Sequence, residues 1–342
     1  MSVSALSIHG RPVRLHGSLA CPDFRAQRVL CSDPFDFVGI WLRREGHKSA
    51  SIFWDQSRQF YNAAIALPNI SAPLPFYYAV LNATKALLTA KFHAFSEKHG
   101  VHGRVEAGRV SLSNEVIHFH SDGVLAALAT YLSEPTNAGT QATLKHVLWH
   151  MPFIHRAYCL TFASARELFV PLRDVGFVRK DGSHQAWVQA TVEQRYINAA
   201  TRKSIGNDYE LFKEASGAYT LRYKRRFEWS GKERAASLRR LITYHRRVRK
   251  QIVPIYASEN RWYLRKVSTS QPQLPNSRLF LIYAAMHRLS ELSRYDPVAL
   301  KNHFNAPHNW LLSEFLHSAP GQFIFGIASE ITGSEFIRPD RF

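Results

Sequence analysis

The sequence predicts an α+β fold, in which a mainly helical body contains an inserted, small, β-rich and strongly basic middle region. Apolar residues recur at helical spacing in both end thirds of the chain, whereas polar and apolar residues alternate in the middle third. Lys and Arg number 44 against 26 Asp and Glu, and this excess is concentrated in the middle. The predicted boundaries are 1–168 for the helical N-terminal part, 169–270 for the basic insert and 271–342 for the helical C-terminal part.

The N-terminal part contains two predicted long helices. Asp55 is a suitable N-cap for the first helix, and apolar residues follow it at helical spacing as far as Leu67. The second helix is predicted over Phe76–Phe92, where a broad apolar stripe indicates a central position in the core. Weaker patterns predict a short strand within Arg109–His120 and helices at Gly123–Leu132 and Leu144–Trp149.

The middle region contains three predicted strands and one basic helix. Alternation predicts the strands, which are Trp187–Val192, Tyr219–Trp229 and Arg261–Val267. The helix is predicted over Lys232–Ile252. Its apolar residues fall within a narrow arc at about 100° per residue, and its arginines lie outside that arc.

A basic segment from Arg222 to Lys250 is the strongest physical signal in the sequence. It holds twelve Lys or Arg residues and two acids, a net charge of +10 in 29 residues. Alternation along the strand predicts that Arg222, Lys224 and Arg226 share one face. The helix adds the remaining residues of a predicted polyanion-binding surface, which are Arg239, Arg240, Arg246, Arg247 and Lys250.

A net charge of +18 attracts polyanions, of which nucleic acid and anionic lipid are the two obvious classes. Composition does not choose between them. A basic helix of this kind can present Arg to phosphate or lie on an anionic membrane surface, and it can also be a solvated helix that only keeps the protein soluble. No zinc-finger spacing, basic zipper or RNA-recognition signature occurs, so any nucleic-acid contact is expected to be nonspecific.

Motifs for catalysis, cofactors and metals are absent from the sequence. It contains no GxxxxGK[ST], GxGxxG, GxSxG or HExxH pattern. The histidine pairs His146/His150, His118/His120 and His99/His102 lack the third and fourth ligands that zinc requires. We therefore expect no cofactor, no metal site and a non-enzymatic protein.

Cysteine usage and hydropathy predict a cytoplasmic protein. Three cysteines without a CxxC pair fit a reducing compartment, and the first residues lack the apolar core of a secretory signal. No apolar stretch approaches the roughly 20 residues of a membrane span. Any membrane contact is expected to be peripheral, on an anionic membrane surface.

The segment Phe76–Leu88, followed by Lys98-His99-Gly100, resembles the paired-helix core of HEPN domains. That resemblance implies an RNase that acts as a homodimer and places an Arg and a His four to six residues apart. Arg240 and His245 have this spacing, as do the pairs Arg11/His16 and Arg179/His184. His245, however, falls in the apolar arc of the predicted helix, about 140° from Arg240, which predicts a buried, hydrogen-bonded histidine.

The C-terminal third resembles the signature segments of the YaaC-like family. The residues that carry this resemblance are Met286–Pro297, Leu312–Leu316 and Gln322–Gly333, together with Pro75–Leu88, and it extends over most of the chain from about Trp54.

The residues of these segments are typical of helix caps, ion pairs and core packing, which stabilise a fold. Asp296 is a suitable N-cap before Pro297, and Glu291 can pair with Arg294 one helical turn away. Leu289, Leu292 and Tyr295 can pack inward. Alternatively, Arg288, Glu291 and Arg294 could converge with Glu314 or Glu330 as a polar pocket.

The resemblance also implies a role. Some YaaC-like relatives belong to bacterial anti-phage defence systems, where they are encoded beside a second protein and detect early infection. We therefore expect a component that senses an anionic infection-associated structure, lipid or nucleic acid, and recruits the second protein of the same operon. The alternatives are a HEPN-like RNase acting as a dimer and a nonspecific nucleic-acid-binding protein.

Overall fold

The computed structural model describes residues 2–134, 139–205, 207–259, 261–267, 274–275 and 277–339. Helices make up 45% of the structure and strands 20%, so the predicted α+β class is confirmed. The chain forms two compact units. The helical unit consists of Cys31–Glu167 and Leu274–Thr332, and the sheet unit consists of Met1–Leu30, Leu168–Gln273 and Gly333–Phe342.

Numbered along the chain, the α-helices are α1 (Pro34–Arg44), α2 (Lys48–Ile65), α3 (Pro73–Ala90), α4 (Val124–Tyr131), α5 (Leu144–Trp149), α6 (His155–Thr161), α7 (Ala199–Ser204), α8 (Arg234–Arg249), α9 (Arg278–Tyr295), α10 (Pro297–Asn305) and α11 (Asn309–Thr332). The strands are β1 (Val3–Ala5), β2 (Ser7–Ile8), β3 (Arg11–Pro12), β4 (Val29–Leu30), β5 (Val101–Val105), β6 (Glu115–Phe119), β7 (Gln141–Thr143), β8 (Phe169–Lys180), β9 (Gln185–Val192), β10 (Tyr209–Lys213), β11 (Tyr219–Tyr223), β12 (Phe227–Glu228), β13 (Ile252–Ile255), β14 (Arg261–Arg265) and β15 (Phe336–Ile337). Short 3-10 helices cover Pro152–Ile154 and Gln194–Tyr196.

The core of the helical unit is built around α3 and α9, most of whose residues are buried. The predicted helix at Phe76–Phe92 is confirmed as α3, which begins at Pro73 because proline is suited to the first helical turn. A three-stranded antiparallel sheet in the order β5-β6-β7 completes this unit.

Asp55 is not an N-cap, and that prediction is wrong. It lies in the middle of α2, which begins at Lys48. The preceding residue, Trp54, is fully buried and donates its indole N–H to the Phe35 carbonyl at 3.0 Å. Packing of this ring against α1 extends the helix back beyond the apparent start signal.

One antiparallel sheet organises the sheet unit, in the order β10-β11-β9-β8-β14-β13, with β1 added to β8 and β12 added to β9. Helix α8 packs on one face of this sheet, where the Tyr244 ring lies 4.6 Å from the Phe227 ring and 5.6 Å from the Tyr223 ring. The Tyr244 hydroxyl also accepts from the Val188 N–H at 3.1 Å and donates to the Arg225 carbonyl at 3.0 Å. The helix is therefore fixed to the sheet by both apolar and polar contacts.

Two predicted elements of the basic segment differ from the structure. The strand Tyr219–Trp229 is divided into β11 and β12, because Arg226 donates to the carbonyls of Tyr223 and Lys224 and its side chain closes a turn between them. Helix α8 is shorter than the predicted Lys232–Ile252, since Ile252 begins β13.

The chain ends also differ from the prediction. Residues 1–30, assigned to the helical N-terminal part, form the short strands β1 to β4 and belong to the sheet unit. The last strand, β15, pairs in parallel with β4, so the C-terminal residues join the same unit. The basic insert predicted at 169–270 thus lies in a unit that both ends of the chain help to build.

The N-cap of α10 offers a direct test of the helical unit. The Asp296 carboxylate accepts from the Ala299 N–H at 2.9 Å, as the Asp-Pro pattern predicts. We expect Asp296→Ala to lower the free energy of unfolding by about 1 kcal/mol, because the amide loses its acceptor. Asp296→Asn keeps a side-chain oxygen and should retain most of that stability in urea denaturation. Equal stability of all three proteins would contradict the cap.

Candidate functional site

The excess positive charge belongs almost entirely to the sheet unit. Its segments hold 28 Lys and Arg against 12 Asp and Glu, a net of +16 out of the chain's +18. The helical unit holds 16 against 14, which leaves only +2. The sheet unit is therefore the part of the chain whose charge favours binding of an anion.

Part of the predicted polyanion-binding surface lies on the face of the sheet opposite α8. Arg222 alternates with Leu221 and Tyr223, which face α8, so its side chain points to the other face. There the guanidinium groups of Arg222 and Arg226 stand 5.1 and 4.5 Å from the Trp187 ring. Burial, and then the charge of Arg222, lower the pKa of Arg226.

Another part lies on the outer surface of α8. Arg239, Arg246, Arg247 and Lys250 are exposed there, and Arg246 also donates to the Ala20 carbonyl. The apolar residues of the helix face the other way, with Leu241 and Val248 fully buried. This arrangement matches the predicted amphipathic pattern.

Three of the eight predicted residues are placed differently from the rest. Arg226 lies 3.9 Å from Glu210 and donates to the carbonyls of Tyr223 and Lys224. Arg240 lies 3.5 Å from Glu228 and 3.7 Å from Glu233, so the protein's own carboxylates already compensate its charge. Lys224 is exposed but, like Arg226, follows the end of β11, so neither residue shares a strand face with Arg222. The basic segment therefore forms two separate cationic faces, one on each side of the sheet.

Sequence reasoning missed a third cationic feature near the N-terminus. A cleft of about 610 Å³ in the sheet unit is lined by four arginines, which are Arg11, Arg14, Arg25 and Arg28. Arg25 pairs with Asp23 at 3.4 Å and Arg28 pairs with Glu335 at 3.2 Å. Within the described ranges, no carboxylate lies within ion-pair distance of Arg11 or Arg14. In the sequence, the feature that could have predicted this cleft is an Arg-x-x-Arg spacing that occurs twice, at 11–14 and at 25–28.

All three Arg–His pairs that fit the RNase alternative lie in the sheet unit, whereas the HEPN-like segment lies in the helical unit. His245 is fully buried, as predicted, and its Nε2 accepts from the backbone N–H of His16 at 3.2 Å. His16 is also buried. Arg240 is engaged by Glu228 and Glu233, so Arg240 and His245 do not form a solvent-accessible pair.

The third pair, Arg179 and His184, lies near the β8–β9 connection. Both residues are exposed, and the Nδ1 atom of His184 is 3.2 Å from the Trp229 carbonyl. This contact ties His184 to the end of β12 within the sheet unit.

A buried ionic network in the helical unit corresponds in part to the predicted polar pocket. Arg288 on α9 donates to Glu115 on β6 at 2.7 and 2.9 Å and to Glu291 at 3.1 Å. The other oxygen of Glu115 lies 2.8 Å from Nε2 of His303 on α10. Burial alone would raise the pKa of Glu115, but the hydrogen bond with His303 and the charge of Arg288 outweigh burial and lower it. This network connects three elements inside the unit.

Gly103 on β5 allows the network to approach the sheet. Its N–H donates to Glu291 at 3.1 Å, and an alanine Cβ at this position would lie 2.3 Å from atoms of both Arg288 and Glu291. Only a residue without a side chain fits this position without displacing its neighbours.

The remaining members of the predicted pocket lie elsewhere. Arg294 is exposed and its guanidinium lies over the Tyr295 ring, and no ion pair with Glu291 occurs among the described contacts. Tyr295, predicted to pack inward, is 72% exposed, whereas Leu289 and Leu292 are buried as predicted. Glu330 is buried and accepts from the Tyr131 hydroxyl at 3.4 Å. Glu314 is only partly buried.

Histidines that the sequence presented as separate pairs are brought together on β5 and β6. His102 lies opposite His118, with their rings stacked at 4.7 Å, and its Nδ1 is 2.7 Å from Nε2 of His120. Nearby, the Tyr77 hydroxyl is 2.6 Å from Nδ1 of His99. Burial raises the pKa of Tyr77 far above its usual range, so this phenol stays neutral.

The chain belongs to the YaaC-like protein family, whose model matches residues 37–331. No curated protein and no solved structure gives a significant match. Among the described helices, none has both the length and the apolar character needed to cross a bilayer.

Four buried histidines make the stability of the fold depend on pH. Burial, and then the charge of Arg249, lower the pKa of His16 to about 3 and the pKa of His245 well below its usual value. Burial likewise lowers the pKa of His287 to about 3 and of His308 to about 4. Each histidine is neutral in the folded state, whereas in the unfolded state it binds a proton below about pH 6.5. The contribution of these neutral histidines to the free energy of unfolding is therefore fully present above pH 6.5. It is lost as the pH falls toward their folded-state pKa values.

We expect His245→Gln to make this pH dependence shallower. Glutamine can still accept from the His16 N–H but cannot titrate, so unfolding should take up about one proton fewer between pH 6 and pH 5. This corresponds to about 1.4 kcal/mol per pH unit in the free energy of unfolding. The matched control is His9→Gln, since His9 is exposed. Identical pH slopes for His245→Gln and the wild type would overturn the assignment.

Proposed function

We propose that the sheet unit binds the phosphate backbone of nucleic acid without sequence specificity. The observation that supports this most is the charge of +16 concentrated in one of the two units. Like charges at this density repel one another in the free protein, and a polyanion relieves that repulsion. Phosphate contacts supply affinity without reading bases, which agrees with the absence of a base-reading motif in the sequence.

The outer surface of α8 supplies a suitable geometry. Arg239, Arg246 and Lys250 are separated by seven and four residues, so they fall within about 40° of one another around the helix. They extend over roughly 16 Å along its axis. A duplex carries about one charge per 1.7 Å of its axis when both strands are counted, so a duplex segment of this length carries on the order of ten phosphates.

The packing of α8 favours nucleic acid over a membrane surface. A helix that lies in a bilayer interface buries an apolar face among the lipids. The apolar residues Leu241, Tyr244 and Val248 are instead buried against the protein's own sheet. The outward face of α8 thus offers charge for phosphate but little apolar surface for acyl chains.

We further propose that this binding serves a non-enzymatic role in anti-phage defence, in which the chain senses an infection-associated polyanion and recruits the second protein of its operon. Membership of the YaaC-like family, some of whose members belong to anti-phage defence systems, supports this role. The RNase alternative lacks such support, because His245 is buried and Arg240 is paired.

Nucleic-acid binding is tested by the triple variant Arg239→Gln, Arg247→Gln, Lys250→Gln. The exposed Arg247 is changed in place of Arg246, because Arg246 also donates to the Ala20 carbonyl. We expect its affinity for a short DNA duplex or RNA at 50 mM salt to fall at least tenfold. The slope of log K against log salt should become shallower by about 2 to 3, at about 0.9 per phosphate contact on duplex DNA. Fluorescence anisotropy between 50 and 200 mM salt measures both quantities.

A control with the same change of charge comes from the helical unit. Lys48→Gln, Arg109→Gln, Lys301→Gln replaces three exposed cations there and should bind like the wild type. Equal losses in both triple variants would contradict a localised surface. Binding to anionic vesicles but not to nucleic acid would replace the proposal with a membrane partner.

The defence role is tested in cells that carry the complete operon. Phage plating should show protection with the wild type and with the helical-unit control, and loss of protection with the α8 triple variant at equal protein levels. Full protection by the α8 variant would contradict a role for the cationic surface of α8 in defence.

A further inference from the structure

Three side chains of the helical unit bring metal-ligating atoms together. The Sγ atom of Cys159 lies 3.5 Å from Nε2 of His155, and Oε2 of Glu167 lies 3.9 Å from the same nitrogen. All three ligand atoms are within 4.8 Å of one another. This cluster lies outside the sheet unit and is independent of the proposed nucleic-acid binding.

The local sequence explains how the cluster forms. His155 and Cys159 are four residues apart on α6, so they project from the same helix face. Glu167 follows in the segment after α6 and returns to that face. The His155 side chain is 6% exposed and that of Glu167 is 50% exposed, so one side of the cluster is open to water.

The distances fit tetrahedral zinc. Bonds of about 2.0–2.1 Å to nitrogen and about 2.3 Å to sulfur place neighbouring ligand atoms about 3.5 Å apart. The Cys159–His155 distance of 3.5 Å already has this value, and the Glu167 oxygen needs to approach Nε2 of His155 by about 0.5 Å. The distance from that oxygen to Sγ of Cys159 is at most 4.8 Å. A thiolate, an imidazole and a carboxylate together favour zinc over magnesium or calcium.

Neighbouring groups orient two of the ligands. Nδ1 of His155 is 3.3 Å from the Trp149 carbonyl, and a carbonyl only accepts, so this contact places the proton on Nδ1. The lone pair of Nε2 then faces Cys159 and Glu167. Arg156 donates to Oε1 of Glu167 at 3.0 Å, which leaves Oε2 directed at the cluster. Such outer contacts are typical of metal sites.

The same residues do not match a catalytic Cys–His pair. In such a pair a carboxylate or amide orients the imidazole through the ring nitrogen that faces away from the nucleophile. Here Glu167 and Cys159 approach the same nitrogen, Nε2.

We propose that His155, Cys159 and Glu167 bind one Zn²⁺ ion per chain, with water as the fourth ligand. The thiolate and the carboxylate balance the two positive charges of the ion. Binding ionises the Cys159 thiol, so one proton leaves the protein for each zinc ion bound.

The test uses the full chain, stripped with a chelator and titrated with Co²⁺ and then Zn²⁺. We expect one equivalent of each metal to bind, a thiolate-to-cobalt charge-transfer band, and displacement of cobalt by zinc. Titration calorimetry in two buffers should show release of about one proton. A folded wild-type protein that binds neither ion would overturn the proposal.

Variants assign the site. Cys159→Ser should abolish the charge-transfer band, whereas the controls Cys21→Ser and Cys31→Ser should keep it. Glu167→Gln and the orienting variant Arg156→Gln both change exposed side chains, and they should weaken zinc binding about 10- to 100-fold while the far-UV circular dichroism stays unchanged. A cobalt band that survives Cys159→Ser, or unchanged zinc affinity in Glu167→Gln, would contradict the ligand set.

Discussion

The contact between α8 and the sheet determines which arginines of the basic segment face solvent. Tyr244 packs against Tyr223 and Phe227, and its hydroxyl bridges the Val188 amide and the Arg225 carbonyl. Because this side of the helix is held against the sheet, the arginines on the other side must remain outside. Arg222 is excluded from the same core by strand alternation and lies on the opposite face of the sheet. A single packing arrangement therefore divides the cations into two faces.

The two units manage charge in different ways. In the helical unit, Glu115 and Glu291 compensate the charge of the buried Arg288. In the sheet unit the buried Arg249 is satisfied largely by backbone carbonyls, including that of Ile252 at 3.0 Å, and the exposed arginines outnumber the acids. Repulsion among those exposed charges is left for solvent, salt or a polyanion to screen.

Periodicity predicted the elements whose packing is local. The apolar stripe of α3, the helix α5, the alternating strand β9 and the cap at Asp296 all follow from residues within one or two turns of each other. Contacts between distant residues carry no such pattern. Glu115 is 173 residues from Arg288, so its place in the network could not be seen in the sequence.

Short strands that form only by pairing with distant segments could not be predicted from the sequence either. Strands β1 to β4 are two or three residues long and exist because they pair with β8, with β15 or with each other. The turn at Arg226 depends on a side chain bonding to backbone carbonyls, which alternation does not encode. Likewise, His155 and Cys159 are one turn apart on α6, but only the fold of the following segment brings Glu167 to them.

Lysine footprinting of the full chain, with and without a DNA duplex, tests the central claim most directly. Lys224, Lys232 and Lys250 are exposed in the sheet unit, and Lys48 and Lys301 are exposed in the helical unit. We expect acetylation at Lys250 and its sheet-unit neighbours to fall when DNA is added at low salt, while Lys48 and Lys301 react as before. Protection of the helical-unit lysines alone, or no protection at any site, would contradict the account.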